Sequence, residues 1–161
     1  MKIKFAIIGF GHIGRKHYNM ILGNVEAEVV AICDPYLEEE SVDGIPVFKD
    51  IEQMLISMPQ IDVVNICTPN GLHAEQSIIC INHGKHVVVE KPMSLTKKDA
   101  ENVIFHALNK HVKIFCVMQN RYTANAQFLK HLITNNQLGN VKEVVVNLFW
   151  NRDKRYYFSG E

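Results

Sequence analysis

Residues 2–17, Lys2-Ile-Lys-Phe-Ala-Ile-Ile-Gly9-Phe-Gly11-His-Ile-Gly14-Arg-Lys-His17, join a short apolar run to a Gly-x-Gly-x-x-Gly pattern and a helical pattern. This order predicts a strand, a tight turn at Gly9 and a helix. Gly11 has no Cβ, so the backbone can approach a pyrophosphate, and Gly14 lets the helix pack closely on the strand. The helix N-terminus then offers unpaired N–H groups to phosphate. The sequence therefore predicts a dinucleotide site at Gly9, Phe10, Gly11, His12, Ile13 and Gly14.

An acidic residue stands at the end of the next apolar run, Glu28-Val-Val-Ala-Ile-Cys-Asp34, twenty residues after Gly14. A carboxylate at this position accepts hydrogen bonds from the ribose hydroxyls of an adenosine. It also repels a 2′-phosphate, so the sequence predicts NAD in preference to NADP. The alternative is a glycine-rich turn in an unrelated α/β protein, in which Asp34 is only a strand-end turn residue.

Strand and helix patterns alternate over residues 1–118, which is typical of βαβ units on a parallel sheet. The strands are nearly continuous apolar runs, as in sheets covered by helices on both faces. We therefore predict an α/β fold, a Rossmann-type doubly wound parallel sheet that forms a coenzyme-binding domain over residues 1–118. Predicted strands cover residues 4–8, 28–33, 45–48, 62–67, 86–90 and 113–118; predicted helices cover 11–22, 51–57, 72–82 and 97–110, with a poor helix over 36–42.

Three helix boundaries have specific signals. Asp50 is predicted to cap the helix at 51–57, and Thr96 and Asp99 resemble a capping box before the helix that reaches residue 110. Gly84 is predicted to follow the end of the helix at 72–82.

The pattern changes after Gln119. A helix is predicted over 125–134, a turn over 135–139 and one long strand over 141–150. One helix and one strand cannot bury a core of their own. We therefore expect this chain to be the amino-terminal part of a longer protein, cut just inside a second domain that begins near residue 119.

Composition excludes several classes of protein. Seventeen basic residues balance seventeen acidic ones, and no basic stripe indicates a nucleic-acid partner. No run of about 18 apolar residues is present, so we expect no membrane span, and the N-terminal stretch does not resemble a signal peptide. Cys33, Cys67, Cys80 and Cys116 lie singly within apolar runs. They are expected to be buried reduced thiols, which suits a cytoplasmic protein.

Three polar clusters follow predicted strands: Thr68-Pro69-Asn70 with His73, Glu90-Lys91-Pro92, and Gln119-Asn-Arg121. Because ligands of open α/β sheets bind beyond the carboxyl ends of the strands, we expect these clusters on one rim with the glycine turn. A lysine beside a bound nicotinamide stabilises a developing alkoxide or transfers its proton, which makes Lys91 the candidate catalytic residue. The alternatives are a solvated loop lysine at Lys91, a backbone-bonded helix start at His73 and turn chemistry at Asn70. No spacing typical of metal ligands is present.

Together these clusters resemble the Gfo/Idh/MocA oxidoreductase family. The matching elements are Gly9-Phe-Gly-His-Ile-Gly14-Arg15-x-His17, Asp34-Pro35, Thr68-Pro-Asn70-x-x-His73, Glu90-Lys91-Pro92 and Gln119-Asn-Arg121. The resemblance implies an NAD(P)-dependent dehydrogenase of sugars, nucleotide-sugars or inositols that forms homo-oligomers. It also implies that residues 119–161 are the start of a truncated α+β domain that binds substrate. It implies a catalytic role for Lys91 near the nicotinamide and substrate hydroxyl, and a place for Glu90 near the nicotinamide ribose or carboxamide. It also implies cofactor contacts at Thr68, Pro69, Asn70, His73, Gln119 and Arg121.

Two departures and two rivals remain at this stage. The second-domain histidine that often serves as acid/base in the family is not in this chain, and the substrate-binding sheet is essentially absent, so we expect little or no turnover from it. The tail Phe149-Trp-Asn-Arg152-x-x-x-Tyr156-Tyr157 weakly resembles nucleotide-sugar 3-dehydrogenases, or is an ordinary strand end. The rival functions are a non-catalytic NAD(H) sensor and an S-adenosylmethionine-dependent methyltransferase, which has no need for Gly14 or Lys91.

Overall fold

The computed structural model describes residues 1–154. The chain divides into two compact units, of which the first ends at Val117 and the second begins at Met118.

The first unit is built on one seven-stranded sheet with the order β3-β4-β2-β1-β5-β6-β7. All strand pairs are parallel except β3 with β4. The strands are β1 Ile3–Ile8, β2 Ala27–Cys33, β3 Ser41–Val42, β4 Ile45–Phe48, β5 Val63–Ile66, β6 His86–Val89 and β7 Ile114–Cys116. The helices are α1 His12–Leu22, α2 Ile51–Ser57, α3 His73–Asn82 and α4 Lys97–Asn109. The predicted Rossmann-type doubly wound sheet is confirmed.

Each face of the sheet carries its own apolar core. Alternation along β1 places Ile7 in a cluster with Tyr18 and Ile21 of α1, whereas Ala6 and Ile8 belong to the cluster that includes Val103 of α4. In β2 this alternation is interrupted, because the register with β1 shifts between Phe5 and Ala6. The shift leaves Val29 and Ile32 on the α1 side together and keeps both cores filled.

The three predicted helix boundaries are confirmed. The Asp50 side chain accepts a hydrogen bond from the Gln53 N–H at 2.8 Å. The Thr96 hydroxyl oxygen accepts from the Asp99 N–H at 3.1 Å and donates to the Asp99 carboxylate at 2.6 Å. Gly84 has φ +73°, the left-handed conformation that ends α3 at little steric cost.

The poor helix predicted over residues 36–42 is wrong. The Asp34 carboxylate accepts a hydrogen bond from the Tyr36 N–H at 2.9 Å, which closes a turn directly after β2. Pro35 favours a turn, and the neighbouring carboxylates of the three consecutive glutamates, residues 38–40, repel one another, so both work against a helix. The chain runs without helix into β3.

The second unit contains a short 3₁₀ turn, Gln119–Tyr122, and α5, Ala124–Thr134. The long strand predicted over residues 141–150 is wrong, since these residues have no strand partner within the part of the chain that the structure describes. An apolar β pattern needs a ladder of backbone hydrogen bonds to become a strand. The Arg152 guanidinium stacks on the Trp150 ring at 4.1 Å. Tyr156 and Tyr157 of the predicted tail lie outside the described residues.

No helix within residues 1–154 is both long and apolar enough to cross a membrane.

Tyr18 links α1 to the turn between β3 and β4. Its side chain is 6% exposed, and its hydroxyl donates to the Asp43 carboxylate at 2.7 Å. Burial, with the hydrogen bond and the negative charge of Asp43, raises the pKa of Tyr18 to about 12. The neutral phenol is therefore held in the folded state at a pH at which the unfolded chain ionises it.

This raised pKa makes stability fall in strong alkali. The unfolded chain releases the Tyr18 proton near pH 10, so between pH 10 and 12 the folded state binds more protons and loses stability as the pH rises. From pH 9 to pH 11 we expect the wild-type unfolding free energy to drop about 1 kcal/mol more than that of Tyr18→Phe. Urea unfolding at both pH values measures it, and equal losses in the two proteins would contradict the assignment.

Candidate functional site

The candidate site lies where the order of the strands reverses. β1 stands between β2 and β5, and the chain passes from one side of β1 to the other between β4 and β5. In open α/β sheets the crevice beyond the carboxyl ends of the strands at such a point binds ligands. The turn after β1 and the loops after β2, β5 and β6 all open at this edge.

Each of the three glycines in the turn is explained by a different feature of the structure. Gly9 has φ +82°, and a Cβ there would lie 2.9 Å from Thr68 Cγ2. A Cβ on Gly14 would lie 2.0 Å from the Gly9 carbonyl oxygen, so only glycine lets α1 approach the end of β1. A Cβ on Gly11 would have no heavy atom within 4 Å. Nothing in the fold requires Gly11, and the open space above it fits a pyrophosphate that approaches the backbone.

Asp34 fixes the turn from the end of β2. One carboxylate oxygen, Oδ2, accepts the Phe10 N–H at 2.7 Å, and Oδ1 accepts the Tyr36 N–H at 2.9 Å. Each carboxylate oxygen has further lone pairs, which suits two ribose hydroxyls. Beside it an open depression of about 520 Å³ is lined by Tyr36, Leu37, Glu38 and Glu39, which adds negative charge to this end of the site.

The remaining turn residues predicted to bind the coenzyme differ in what they present. The Phe10 ring is buried, 5.5 Å from the Tyr18 ring in an edge-on arrangement, and the Arg15 guanidinium lies over it at 4.7 Å. Phe10 therefore offers only backbone to a ligand. His12 and Ile13 are exposed at the start of α1.

The loop after β5 is tied to the loop after β6 by His73. This side chain is 1% exposed, and its two ring nitrogens lie 2.8 Å from the Thr68 carbonyl oxygen and 2.7 Å from the Pro92 carbonyl oxygen. The Thr68 hydroxyl donates to Gln76 at 2.6 Å. Pro69 and Asn70 are exposed, and Asn70 begins a 3₁₀ turn. His73 matches the alternative of a histidine at a helix start bonded to backbone, and its predicted contact with coenzyme stays a prediction.

Glu90 and Lys91 follow β6 and present opposite charges side by side. The Glu90 carboxylate contacts His17 Nε2 at 3.1 Å and accepts the Lys91 backbone N–H at 3.2 Å. Lys91 is exposed, and no side chain within residues 1–154 pairs with its ammonium group. The peptide bond between Lys91 and Pro92 is cis.

The Glu90 carboxylate also acts on a neighbouring thiol. Burial and the negative charge of Glu90 raise the pKa of Cys67 to about 12. The Cys67 thiol is therefore protonated and unreactive beside the site at neutral pH.

Asn65 is the residue that sequence reasoning missed. It lies in β5 on the α1 side of the sheet, opposite Ile7, and its amide nitrogen is 3.0 Å from His17 Nδ1. The available signal was a polar residue inside the apolar run Val63-Val-Asn-Ile66. His17 is part of the quoted motif, but its contact with Glu90, 73 residues away, has no local signal.

Gln119 and Arg121 belong to the second unit, where both are exposed in the 3₁₀ turn. Their predicted contact with coenzyme stays a prediction. Residues 1–154 contain no group of three or more His, Cys, Asp or Glu side chains that could hold a metal ion.

Comparison with known proteins defines the family. Residues 3–118 match the Gfo/Idh/MocA model, described as an oxidoreductase family with an NAD-binding Rossmann fold. A solved structure of the WlbA dehydrogenase from Bordetella pertussis, in complex with NADH and UDP-GlcNAcA, is 34% identical with a TM-score of 0.93, covering 99% of this chain and 50% of that one. The chain belongs to the Gfo/Idh/MocA oxidoreductase family.

Two characterised relatives have other substrates. The D-glucoside 3-dehydrogenase of Escherichia coli strain K12 is 29% identical over 86% of this chain and 41% of its own length. The scyllo-inositol 2-dehydrogenase (NADP(+)) IolW of Bacillus subtilis strain 168 is 30% identical over 90% of this chain and 41% of its own. The chain thus spans between two fifths and one half of the length of these relatives.

The contact at Gly14 predicts a stability defect. Gly14→Ala forces a methyl group against the Gly9 carbonyl and must push α1 away from β1, so we expect a loss of about 3 kcal/mol or more in unfolding free energy. Urea unfolding measures it. A loss below about 1 kcal/mol would show that the turn relaxes easily.

Gly11→Ala is the matched variant, because its methyl group enters open space. We expect it to cost about 1 kcal/mol or less, the usual difference at a helix N-cap, while NADH affinity falls at least tenfold (about 1.4 kcal/mol) because the methyl occupies the pyrophosphate position. Fluorescence titration with NADH measures the affinity. Unchanged affinity would place the pyrophosphate elsewhere.

Proposed function

We propose that this chain is the coenzyme-binding part of an NAD-dependent dehydrogenase that oxidises a hydroxyl group of a sugar, nucleotide-sugar or inositol. One observation carries the proposal: a single edge of the sheet presents an open space at Gly11, a carboxylate at Asp34 and, at Lys91, an ammonium that pairs with no side chain of residues 1–154. Neither an NAD(H) sensor nor a methyltransferase needs all three of these features.

At the adenosine end the chain binds and selects. The N–H groups at the start of α1 hold the pyrophosphate, and Asp34 accepts the ribose hydroxyls. Asp34, Glu38 and Glu39 together repel a 2′-phosphate, which favours NAD over NADP. The preference for NAD depends on these acidic residues and not on membership of the family, because one relative is an NADP(+) enzyme.

At the nicotinamide end the chain acts on the reacting hydroxyl group. The bound nicotinamide supplies the carbon that accepts hydride from the substrate. The substrate hydroxyl must give its proton to a base as the C–H bond breaks, a role that a second-domain histidine often has in the family. Lys91 hydrogen-bonds the oxygen and stabilises its developing negative charge. Glu90 lies beside Lys91 and suits the ribose or carboxamide of the nicotinamide half. His73 holds the loops after β5 and β6 together, so that these groups keep a fixed distance.

The substrate class that we favour is a nucleotide-sugar. The WlbA dehydrogenase, whose structure contains NADH and UDP-GlcNAcA, aligns over 99% of this chain with a TM-score of 0.93. The resemblance of Phe149-Trp-Asn-Arg152 to nucleotide-sugar 3-dehydrogenases supports the same class.

We further propose a cytoplasmic homo-oligomer. Burial raises the pKa values of Cys33, Cys67 and Cys80 to about 12, which suits thiols that stay reduced. Exposed apolar side chains on α4 and β7, including Phe105, Leu108 and Phe115, support a contact between subunits.

Coenzyme choice tests the proposal directly. At 100 times its dissociation constant NADH should stabilise the chain by about 2.7 kcal/mol, and we expect NADPH and S-adenosylmethionine at that concentration to stabilise it far less. In Asp34→Asn, which removes the charge, the preference for NADH over NADPH should shrink about tenfold or more. Thermal unfolding with each ligand measures both.

Asp62→Asn is the control, because Asp62 also accepts a backbone N–H, that of Lys4 at 2.8 Å, but at the amino end of β5. It should leave the preference unchanged. Stabilisation by S-adenosylmethionine alone would overturn the proposal in favour of a methyltransferase, and equal stabilisation by NADH and NADPH would overturn the role of Asp34.

A further inference from the structure

A partly buried hydrogen-bond network of Asn65, His17 and Glu90 runs from the middle of the sheet to the residue before Lys91. Asn65 on β5 lies 3.0 Å from His17 Nδ1, and His17 Nε2 lies 3.1 Å from Glu90 Oε1. Asn65 is 4% exposed, and the side chains of His17 and Glu90 are each 13% exposed. This network joins three separate elements: α1, β5 and the loop after β6.

The hydrogen-bond partners define which atom donates at each step of this network. The Asn65 amide nitrogen is a donor, so His17 Nδ1 is the acceptor and the ring carries its hydrogen on Nε2. That N–H then donates to Glu90. The Asn65 oxygen, Oδ1, is buried without a hydrogen-bond partner within residues 1–154. Such a burial costs free energy, so an apolar residue would suit the strand better, and the atom that Asn65 contributes is the nitrogen facing His17.

Both oxygens of Glu90 are engaged by this arrangement. Oε1 accepts from His17 and Oε2 accepts the Lys91 backbone N–H at 3.2 Å. An unrestrained glutamate beside a lysine is attracted to its ammonium group. In this structure the Lys91 ammonium pairs with no side chain of residues 1–154.

We propose that His17 is a positioning residue: supported by Asn65, it holds the Glu90 carboxylate in place and so keeps it from pairing with the Lys91 ammonium. The inference deepens the proposed function and rests on it, because an unpaired Lys91 is what a substrate hydroxyl requires. It also connects the helix that receives the phosphates to the residue that meets the nicotinamide half of the coenzyme.

The first test measures Lys91 in the whole chain without any coenzyme. Competitive labelling with acetic anhydride at pH 8, quantified by mass spectrometry, compares Lys91 with Lys98, an exposed lysine on α4 that serves as internal reference. In His17→Leu the released carboxylate should pair with Lys91 and slow its labelling several-fold relative to Lys98. His17→Gln, which keeps an amide donor toward Glu90, should restore most of the rate.

The second test separates the two ends of the coenzyme. His17→Leu should weaken NADH binding several-fold and leave ADP binding unchanged, because ADP reaches only the glycine turn and Asp34. Loss of ADP binding as well would show that the variant disrupts the turn, which overturns a specific role for His17. Equal NADH affinity and equal Lys91 labelling in wild type and His17→Leu would also overturn it.

A spectroscopic test needs no variant and so stands even if His17→Leu fails to fold. Long-range ¹H–¹⁵N correlation at pH 8 should show His17 with hydrogen on Nε2 and none on Nδ1. The opposite tautomer would overturn the inference. Failure of the wild type to bind NADH would reject the proposed function instead, while the labelling and the tautomer would still report whether His17 holds Glu90.

Discussion

The close approach of α1 to the end of β1 is the constraint on which the rest of the site depends. A Cβ at Gly14 would lie 2.0 Å from the Gly9 carbonyl oxygen, so the two segments meet at backbone distance. This approach brings the first N–H groups of α1 to the sheet edge. It also carries His17, one turn further along, over the polar side chain of Asn65 in β5. A single steric requirement therefore places both the phosphate-binding turn and the support for Glu90.

Charge is distributed along this edge in a way that suits a dinucleotide. The acids Asp34, Glu38 and Glu39 lie after β2, where they favour hydroxyl groups over a phosphate. The amides of the turn and the start of α1 favour the pyrophosphate in the middle. In the loop after β6, the Lys91 ammonium pairs with no side chain of the described residues and lies next to a restrained Glu90. The restraints on the turn, on Asp34 and on Glu90 come from the backbone and from hydrogen bonds within the chain.

Local patterns were enough to predict most of the fold and the position of the turn. Apolar runs and helix caps are signals within a few residues, and the predictions at Asp50, Thr96 and Gly84 were confirmed for that reason. The helix over 36–42 was wrong because an Asp34 turn and three glutamates outweighed weak helical propensity. The prediction of a strand over 141–150 was wrong because a strand forms only beside a partner strand, and the sequence of the segment itself does not reveal whether one is present. The contact of His17 with Asn65 and Glu90 could not be predicted, since it joins residues 48 and 73 positions apart whose only meeting place is the folded sheet edge.

The relatives indicate how recognition is divided along such chains. The same region is similar to a D-glucoside 3-dehydrogenase, an NADP(+)-dependent inositol dehydrogenase and the WlbA dehydrogenase, whose names give three different sugar-like ligands. The preference for a nucleotide-sugar therefore rests on the alignment of the WlbA dehydrogenase over 99% of this chain and not on a substrate shared by the relatives. Under the proposed function, this chain contributes a backbone turn for pyrophosphate, an acidic end for ribose and a lysine for the substrate hydroxyl. On that proposal, substitutions in residues 1–117 are expected to act on coenzyme affinity and on the environment of Lys91.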